Sequence, residues 1–271
     1  MHRVASVAYV NAKPLIHGLA DGGSVELDLA VPSRLLSKMK LGGFDVALLP
    51  TIDLQRWHNF AILPVGGIGC DGETLTVRLF SRRPLEHIRH LAVDGDSHTS
   101  VALSRIVLEK LFGIVPERRK LAEATGEDDE ALLLIGDKVV CEEPAGYDHQ
   151  LDLGLAWKRL TGLPFVFAVW TQFEHVDLGD LPSRLVTCRE EGLQPAVLDA
   201  IVRDHAVPRG WPAGLAMRYF TEFLRYEIGP RQLEAIRLFH TLAHEVGALS
   251  EPPRDVLVAP TTTTQTPEAV G

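Results

Sequence analysis

Cysteine is scarce in this chain of 271 residues, which contains Cys70, Cys141 and Cys188 and no others. The three lie far apart in the sequence and form no Cys-x-x-Cys pair. The spacing therefore indicates neither a disulfide framework nor a cysteine zinc site. We expect a reducing compartment and predict a cytoplasmic protein.

Long apolar runs and an excess of basic charge are also missing. In the N-terminal segment, the polar residues Asn11 and Lys13 interrupt the apolar run before it attains the length of a signal peptide. No apolar run approaches the length of a membrane span. The chain has 36 acidic against 27 basic residues and a formal net charge of -9. Nucleic acids and anionic membranes bind to Lys- and Arg-rich surfaces, so we predict neither as a partner.

Several familiar chemical motifs are absent or occur in the wrong context. The chain has no Gly-x-Ser-x-Gly elbow and no P-loop. Residues 67–72 match Gly-x-Gly-x-x-Gly, but a β-rich segment follows instead of a helix, so we interpret them as a turn before a strand. His240 and His244 share a face of a predicted helix, but no third zinc ligand is nearby. We interpret both histidines as solvent-facing and predict no metal and no cofactor.

Short β-branched runs alternate with helical segments, which is the order of an α/β fold. The predicted strands are 4–10, 25–30, 44–49, 90–93 and 132–135. The predicted helices are a segment after Pro14, 32–41, 99–112 and 151–160, followed by a mostly helical part after Asp180. Strands such as 132–135 are almost entirely apolar, as strands covered by helices on both faces are, so we expect mostly parallel sheets.

Two extended segments, 73–80 and 164–170, flank the second group of elements and could serve as crossings between two lobes. This arrangement predicts a discontinuous α/β lobe, 1–81 and 172–271, completed by C-terminal helices, and an inserted α/β lobe, 82–171. The Thr-rich tail at 259–267 has two prolines and no apolar period, so we expect it to be mobile.

Small hydroxyl, amide and glycine residues follow several of the predicted strands. Open α/β sheets bind ligands at the carboxyl ends of their strands, and the helix that follows directs free N–H groups there. We therefore predict an anion site that needs no Lys or Arg, although capping alone would also explain the Ser97–Ser100 cluster and Asp137. The candidate residues at strand ends are Tyr9, Asn11, Thr51, Ser97, His98, Thr99, Ser100, Gly136 and Asp137, and those on the crossings are Thr76 and Trp170.

The segments that carry these candidates resemble the chorismate dehydratases of the futalosine route to menaquinone. The resemblance covers segments 9–15, 45–51, 97–101, 134–137 and 161–170, in the same order. It implies a periplasmic-binding-protein-like fold of the second type, with two α/β lobes around a ligand cleft. A sister family acts on cyclic dehypoxanthine futalosine and has a Pro-Asn-Asp-Thr type of sequence near its N-terminus, where this chain has Asn-Ala-Lys-Pro at 11–14.

The resemblance implies loss of water from chorismate to give 3-[(1-carboxyvinyl)oxy]benzoate, without a redox cofactor. It assigns catalysis to Asn11 and Asp137, and substrate binding to the other candidates. Two alternatives for the base stay open, namely Asp137 and the substrate's own enolpyruvyl carboxylate. A binding protein that captures small anions without chemistry is the competing interpretation, since the fold alone serves both. The oligomeric state stays open, with a homodimer as one alternative.

Overall fold

The computed structural model describes residues 1–95, 97–121, 130–174 and 176–260. Most of the tail that we expected to be mobile, 261–267, lies outside the described residues. Ala259, where that tail begins, is described and is held in place, because its N–H donates to the carbonyl oxygen of Ile62 at 2.8 Å. Within the described part of the chain, no helix combines the length and the apolar character that crossing a bilayer requires.

The secondary structure follows an α/β order with a helical C-terminal part. The strands are β1 (His2–Val7), β2 (Val25–Ala30), β3 (Val46–Pro50), β4 (Phe60–Cys70), β5 (Val77–Ser81), β6 (His90–Val93), β7 (Glu117–Lys120), β8 (Ala131–Ile135), β9 (His149–Asp152), β10 (Phe165–Phe173), β11 (Leu224–Arg225) and β12 (Leu257–Val258). The α-helices are α1 (Pro32–Lys40), α2 (His98–Phe112), α3 (Asp137–Cys141), α4 (Leu153–Thr161), α5 (Leu181–Gly192), α6 (Pro195–Ile201), α7 (Ala213–Arg218) and α8 (Pro230–Glu245). Tighter 3-10 turns lie at Val10–Ile16 and Thr51–Gln55, and a wider π turn at Tyr219–Phe223 continues α7.

The strands form two sheets, each with its own apolar core. The first has the order β11-β4-β10-β3-β1-β2, with β12 beside β4, and the second has the order β7-β6-β8-β5-β9. We expected mostly parallel sheets, and this was wrong. Parallel pairs such as β1–β2 and β6–β8 coexist with antiparallel ones, because β10 and β5 enter their sheets in the opposite direction.

The chain passes between the sheets at the two crossings. Strand pairing puts β5 in the second sheet and β10 in the first. The changes of sheet therefore lie between Cys70 and Val77 and between Asp152 and Phe165, several residues before the lobe boundaries that we expected at 81/82 and 171/172. The C-terminal helix α8 packs against both lobes, since it contacts α2 as well as β10.

Glycines 67 and 69 lie inside strand β4, and the turn that we expected there is wrong. A Cβ atom at Gly67 would lie 2.6 Å from the carbonyl oxygen of Ala168, and one at Gly69 would lie 2.5 Å from that of Phe165. Both carbonyls belong to β10. Glycine is therefore needed at both positions, because a side chain there would collide with the backbone of β10.

Candidate active site

A pocket lies between the two lobes, where the carboxyl ends of β1, β3 and β8 meet the two crossings. It encloses about 580 Å³ of space, part of it open to solvent. Its lining residues are Val7, Tyr9, Asn11, Pro50, Ile68, Thr74, Thr76, Val77, Ser97, Ser100, Ile135, Gly136, Phe167, Ala168, Tyr219 and Leu224. These described residues include no Asp, Glu, Lys, Arg or His, so the polar groups of the pocket are hydroxyls, an amide and backbone groups.

Asn11 reaches the pocket from the 3-10 turn that follows β1. Its backbone carbonyl oxygen accepts a hydrogen bond from the hydroxyl of Tyr226 at 2.8 Å. The side-chain oxygen Oδ1 is buried and has no hydrogen-bond partner within the protein. Because an unpaired buried acceptor is costly, this oxygen is available to accept a hydrogen bond from a ligand.

Tyr219 borders Asn11 in the pocket. Its hydroxyl lies 2.8 Å from Oγ1 of Thr76, and its side chain is 2% exposed. Burial raises the pKa of the Tyr219 phenol well above its ordinary value, although the hydrogen bond between its hydroxyl and Thr76 acts in the opposite direction. The phenol therefore stays protonated and can both donate and accept a hydrogen bond.

The first turn of α2 brings two hydroxyls to the pocket. Ser97 caps the helix, since its Oγ accepts a hydrogen bond from the N–H of Ser100 at 3.2 Å. The two serine oxygens lie 2.9 Å apart, and both side chains line the pocket. Ser97 thus caps α2 and lines the pocket at the same time. The positive end of the α2 dipole is directed at the same region.

The crossing before β5 is held by a buried carboxylate. Asp152 accepts hydrogen bonds from the N–H groups of Thr74 and Leu75 at 2.8–3.1 Å and from that of Leu155 at 3.0 Å. It therefore caps α4 and fixes the segment that carries Thr74 and Thr76 into the pocket. Leu75 has a φ of 65°, a conformation that such a clamp must maintain against steric strain.

Gly136 and Tyr9 face each other across the pocket from opposite lobes. Gly136 has a φ of 66°, which favours glycine, and a Cβ atom there would lie 3.9 Å from the Tyr9 ring. The N–H of Gly136 donates to the carbonyl oxygen of Thr76 at 2.8 Å. The end of β8 is therefore joined to the crossing that precedes β5.

Four of the predicted substrate-binding residues do not line the pocket. Thr51 is buried, and its hydroxyl donates to the carbonyl oxygen of Val166 at 2.7 Å. The Thr99 hydroxyl accepts from the N–H of Ile52 at 3.3 Å, and His98 Nδ1 lies 3.0 Å from both carboxylate oxygens of the fully buried Asp53. Trp170 is fully buried in the core of the first lobe. Thr99 and His98 thus tie α2 to the turn after β3, and the ligand contacts predicted for these four residues remain untested.

Asp137 is also not among the residues that line the pocket. Its Oδ1 accepts a hydrogen bond from Nε1 of Trp211 at 2.8 Å, and its Oδ2 lies 3.6 Å from Nε of Arg209. Asp137 begins α3 in the second lobe, whereas Trp211 belongs to the core of the first. The carboxylate therefore connects the two lobes.

Comparison with known proteins decides the family. A family model described as menaquinone biosynthesis matches residues 2–245. The chorismate dehydratase of Thermus thermophilus is 31% identical over 205 residues, which cover 68% of this chain and 75% of that protein. The chain belongs to the menaquinone biosynthesis family.

Solved structures agree on the fold. A protein of Archaeoglobus fulgidus matches with a TM-score of 0.71 at 16% identity, over 92% of this chain and 98% of that one. The periplasmic aliphatic sulphonate-binding protein of Escherichia coli matches with a TM-score of 0.67 at 13% identity, over 100% and 97% of the two chains. This member of the menaquinone biosynthesis family therefore has the periplasmic-binding-protein-like fold that the sequence resemblance implied.

In this family member, neither histidine of the pair that we interpreted as solvent-facing is fully exposed. His240 is 2% exposed and His244 is half-buried, because α8 packs between the lobes. Nδ1 of His244 lies 3.3 Å from the carbonyl oxygen of Leu249. Among the described residues, no group of three or more His, Cys, Asp and Glu side chains is arranged to hold a metal ion.

Three residues that build the pocket or support it were not predicted from the sequence. Tyr219 and Tyr226 come from the C-terminal helical part. The apolar periodicity there indicates which face of a helix is buried, but it does not indicate which tyrosine lies at the pocket. Asp152 precedes α4, where an acidic residue before a helical pattern is a capping signal that could have been noticed. Its second role, as acceptor for the crossing, depends on tertiary structure.

Proposed function

We propose that this protein is a chorismate dehydratase, a hydro-lyase that removes water from chorismate to give 3-[(1-carboxyvinyl)oxy]benzoate. The observation that carries the proposal is the unpaired Oδ1 of Asn11 in a pocket without charged side chains. Ionised chorismate has two carboxylates, an enol ether and one hydroxyl, so the hydroxyl is its only hydrogen-bond donor. Asn11 Oδ1 would accept that bond and orient the C4 hydroxyl, which is the group that leaves.

The hydroxyls of Ser97 and Ser100, with the N-terminal N–H groups of α2, suit one of the two carboxylates. This arrangement stabilises negative charge without Lys or Arg, because the helix dipole and the oriented donors supply the positive potential. Bound to the ring carboxylate, the same donors would stabilise the charge that develops there when the C3 proton leaves. Thr74 and Thr76 offer further hydroxyls to the ligand from the crossing.

For the base, we propose the enolpyruvyl carboxylate of the substrate. None of the described residues that line the pocket carries a carboxylate or an imidazole, and both oxygens of Asp137 face cationic or N–H partners from the other lobe. The enolpyruvyl carboxylate can reach the C3 hydrogen through a six-membered arrangement of atoms within the substrate. An intramolecular transfer of this kind requires the protein only to orient the groups.

The proposed reaction balances without a cofactor. The C3–H bond breaks, the proton passes to the substrate carboxylate, and the electron pair delocalises through the ring alkene into the ring carboxylate. The C4–O bond then breaks, and the ring becomes aromatic. The departing hydroxide takes up the proton as water, which restores the carboxylate.

Turnover of chorismate by the purified protein tests the proposal, with mass and ultraviolet absorbance as the readout and no added cofactor. Asn11→Ala should lower kcat by roughly 10²-fold, the cost expected for a misplaced reacting group. Asp137→Asn should keep kcat within the same order of magnitude, since the amide can still accept from Trp211. Abolished turnover with intact binding in that variant would instead make Asp137 the base.

Unchanged chorismate would refute the dehydratase, and the next substrate to test would be cyclic dehypoxanthine futalosine. Chorismate that binds without turnover would support the binding-protein alternative. We also propose a cytoplasmic location, which is supported by the free thiols of Cys70, Cys141 and Cys188. The homodimer stays a prediction, and light scattering would test it.

A further inference from the structure

The short helix α3 contacts both lobes, through neighbouring residues. Toward the second lobe, Nζ of Lys138 donates to Oδ2 of Asp94 at 2.7 Å, and Val139 packs in an apolar cluster of that lobe. Toward the first lobe, Val140 packs against the hydrophobic core. The helix is thus anchored in the second lobe and rests on the first.

Asp137 makes the polar contact of α3 with the first lobe. Its Oδ1 accepts from Nε1 of Trp211 at 2.8 Å, and its Oδ2 lies 3.6 Å from Nε of Arg209. Between these two partners, a Cβ atom at Gly210 would lie 3.5 Å from Sγ of Cys141, so the helix and the segment 209–211 are in contact. Trp211 is 3% exposed. A buried N–H bonded to a carboxylate favours the arrangement in which the lobes touch here, because the bond is charge-assisted and its loss leaves a buried donor unpaired.

Trp211 connects this contact to the pocket. Its ring centroid lies 5.0 Å from that of Tyr219, which lines the pocket. The Tyr219 hydroxyl lies 2.8 Å from Oγ1 of Thr76, whose carbonyl oxygen accepts from the N–H of Gly136, the residue before Asp137. The two hydrogen bonds between the lobes are therefore joined on the first lobe by a ring contact and on the second by a backbone bond.

We propose that Asp137 is a positioning residue that holds the two lobes together around the ligand through its hydrogen bond to Trp211. The ligand groups of the pocket come from both lobes, with Asn11 on the first and Ser97 on the second, so only the closed protein presents them together. The apparent affinity for a ligand falls with the fraction of protein that is closed. The identity of the ligand as chorismate rests on the function proposed above.

Asp137→Ala removes the acceptor and leaves the indole in place. We expect KM for chorismate to rise roughly tenfold, the size expected for one hydrogen bond to a charged group, while kcat stays within about threefold because saturating substrate keeps the lobes closed. Asp137→Asn keeps an acceptor for the indole, so its KM should stay within about threefold of the unaltered value. Trp211→Phe removes the donor and should raise KM as Asp137→Ala does. The double variant of Asp137→Ala and Trp211→Phe should show no further rise, since both changes remove the same bond.

The matched control is Trp157→Phe. Trp157 is also a buried indole, and its Nε1 donates to the carbonyl oxygen of Pro164 at 2.9 Å, but neither residue is among those that line the pocket. This variant should keep KM within about twofold. A KM within about twofold of the unaltered value in Asp137→Ala would overturn the proposal. So would an equal rise in Trp157→Phe, or KM changes that multiply in the double variant.

Solution scattering without ligand separates this proposal from the proposed function. Asp137→Ala and Trp211→Phe should increase the radius of gyration of the ligand-free protein, whereas Asp137→Asn and Trp157→Phe should not. Equal radii in all four variants would refute the role of Asp137 in closure, whatever the substrate is. The expected increase in a protein that leaves chorismate unchanged would support that role and refute the proposed function alone.

Discussion

Acidification should destabilise this protein through one buried histidine on α8. His240 Nε2 lies 2.9 Å from the carbonyl oxygen of Thr51, which can only accept, so this nitrogen carries the proton. Nδ1 lies 2.9 Å from Nε2 of Gln55. The Gln55 amide is fixed by two bonds to the backbone of Arg254, one from its Nε2 and one to its Oε1. Nδ1 of His240 therefore accepts, and the ring is neutral in the folded protein.

Burial lowers the pKa of His240 from 6.5 to about 4, and the charge of Arg254 acts in the same direction, while the hydrogen bond to Thr51 opposes it. Between these two values the unfolded chain binds a proton that the folded protein does not. Stability contributed by the neutral ring is therefore present above 6.5 and is lost as the pH falls toward 4. The slope is about 1.4 kcal/mol per pH unit, and the whole loss is about 3 kcal/mol.

Urea unfolding measured at intervals across this pH range tests the calculation. His240→Gln should be less stable near neutral pH but should lose less stability on acidification, because the proton uptake by the unfolded histidine disappears. The matched control is His17→Gln at an exposed position, which should keep the slope of the unaltered protein. Curves for His240→Gln and the unaltered protein that run parallel across the interval would refute the reasoning.

Further predictions concern packing and thiol accessibility. Gly192→Ala should lower the unfolding free energy by about 1–3 kcal/mol in a urea titration, because its Cβ atom would lie 2.1 Å from the carbonyl oxygen of Pro14. Gly214→Ala should instead raise the unfolding free energy by about 0.5–1 kcal/mol through helix propensity, because its Cβ atom would meet nothing within 4 Å outside its own helix backbone. Equal losses of unfolding free energy in both variants would contradict the steric argument. A maleimide should label the exposed Cys141 in the native protein but Cys70 only after unfolding, since burial raises the pKa of the Cys70 thiol to about 12. Native labelling of Cys70, detected by peptide mass, would contradict this burial.

Local signals in the sequence predicted most of the α/β elements. Strands β2 and β6 have the predicted bounds, and α2 begins within one residue of its predicted start, where Ser97 supplies a capping signal. Strand β4 was not predicted, because its glycines suggest a turn until the partner strand β10 is known. The mixture of parallel and antiparallel pairs was also not predicted. The direction of a strand in its sheet depends on how the chain crosses between the lobes, which the local sequence does not show.

The site was predicted where a residue follows a strand and missed where contact depends on distant parts of the chain. Six predicted residues line the pocket, namely Tyr9, Asn11, Thr76, Ser97, Ser100 and Gly136. Trp170 does not, because a strand buried on both faces has no alternation to show which residues reach a cleft. Tyr219 reaches the pocket only after the C-terminal helices have packed, and no local pattern encodes that position.

The Asp152 clamp determines how the two lobes can move. Because this carboxylate joins the crossing at Thr74 and Leu75 to the start of α4, that segment must travel with the second lobe as a rigid body. Two glycines in the left-handed region lie beside this segment, Gly72 with a φ of 136° and Gly162 with a φ of 73°, one on each crossing. Opening of the pocket would therefore break the hydrogen bond between Thr76 Oγ1 and the Tyr219 hydroxyl, because Thr76 would leave with the second lobe while Tyr219 belongs to the core of the first.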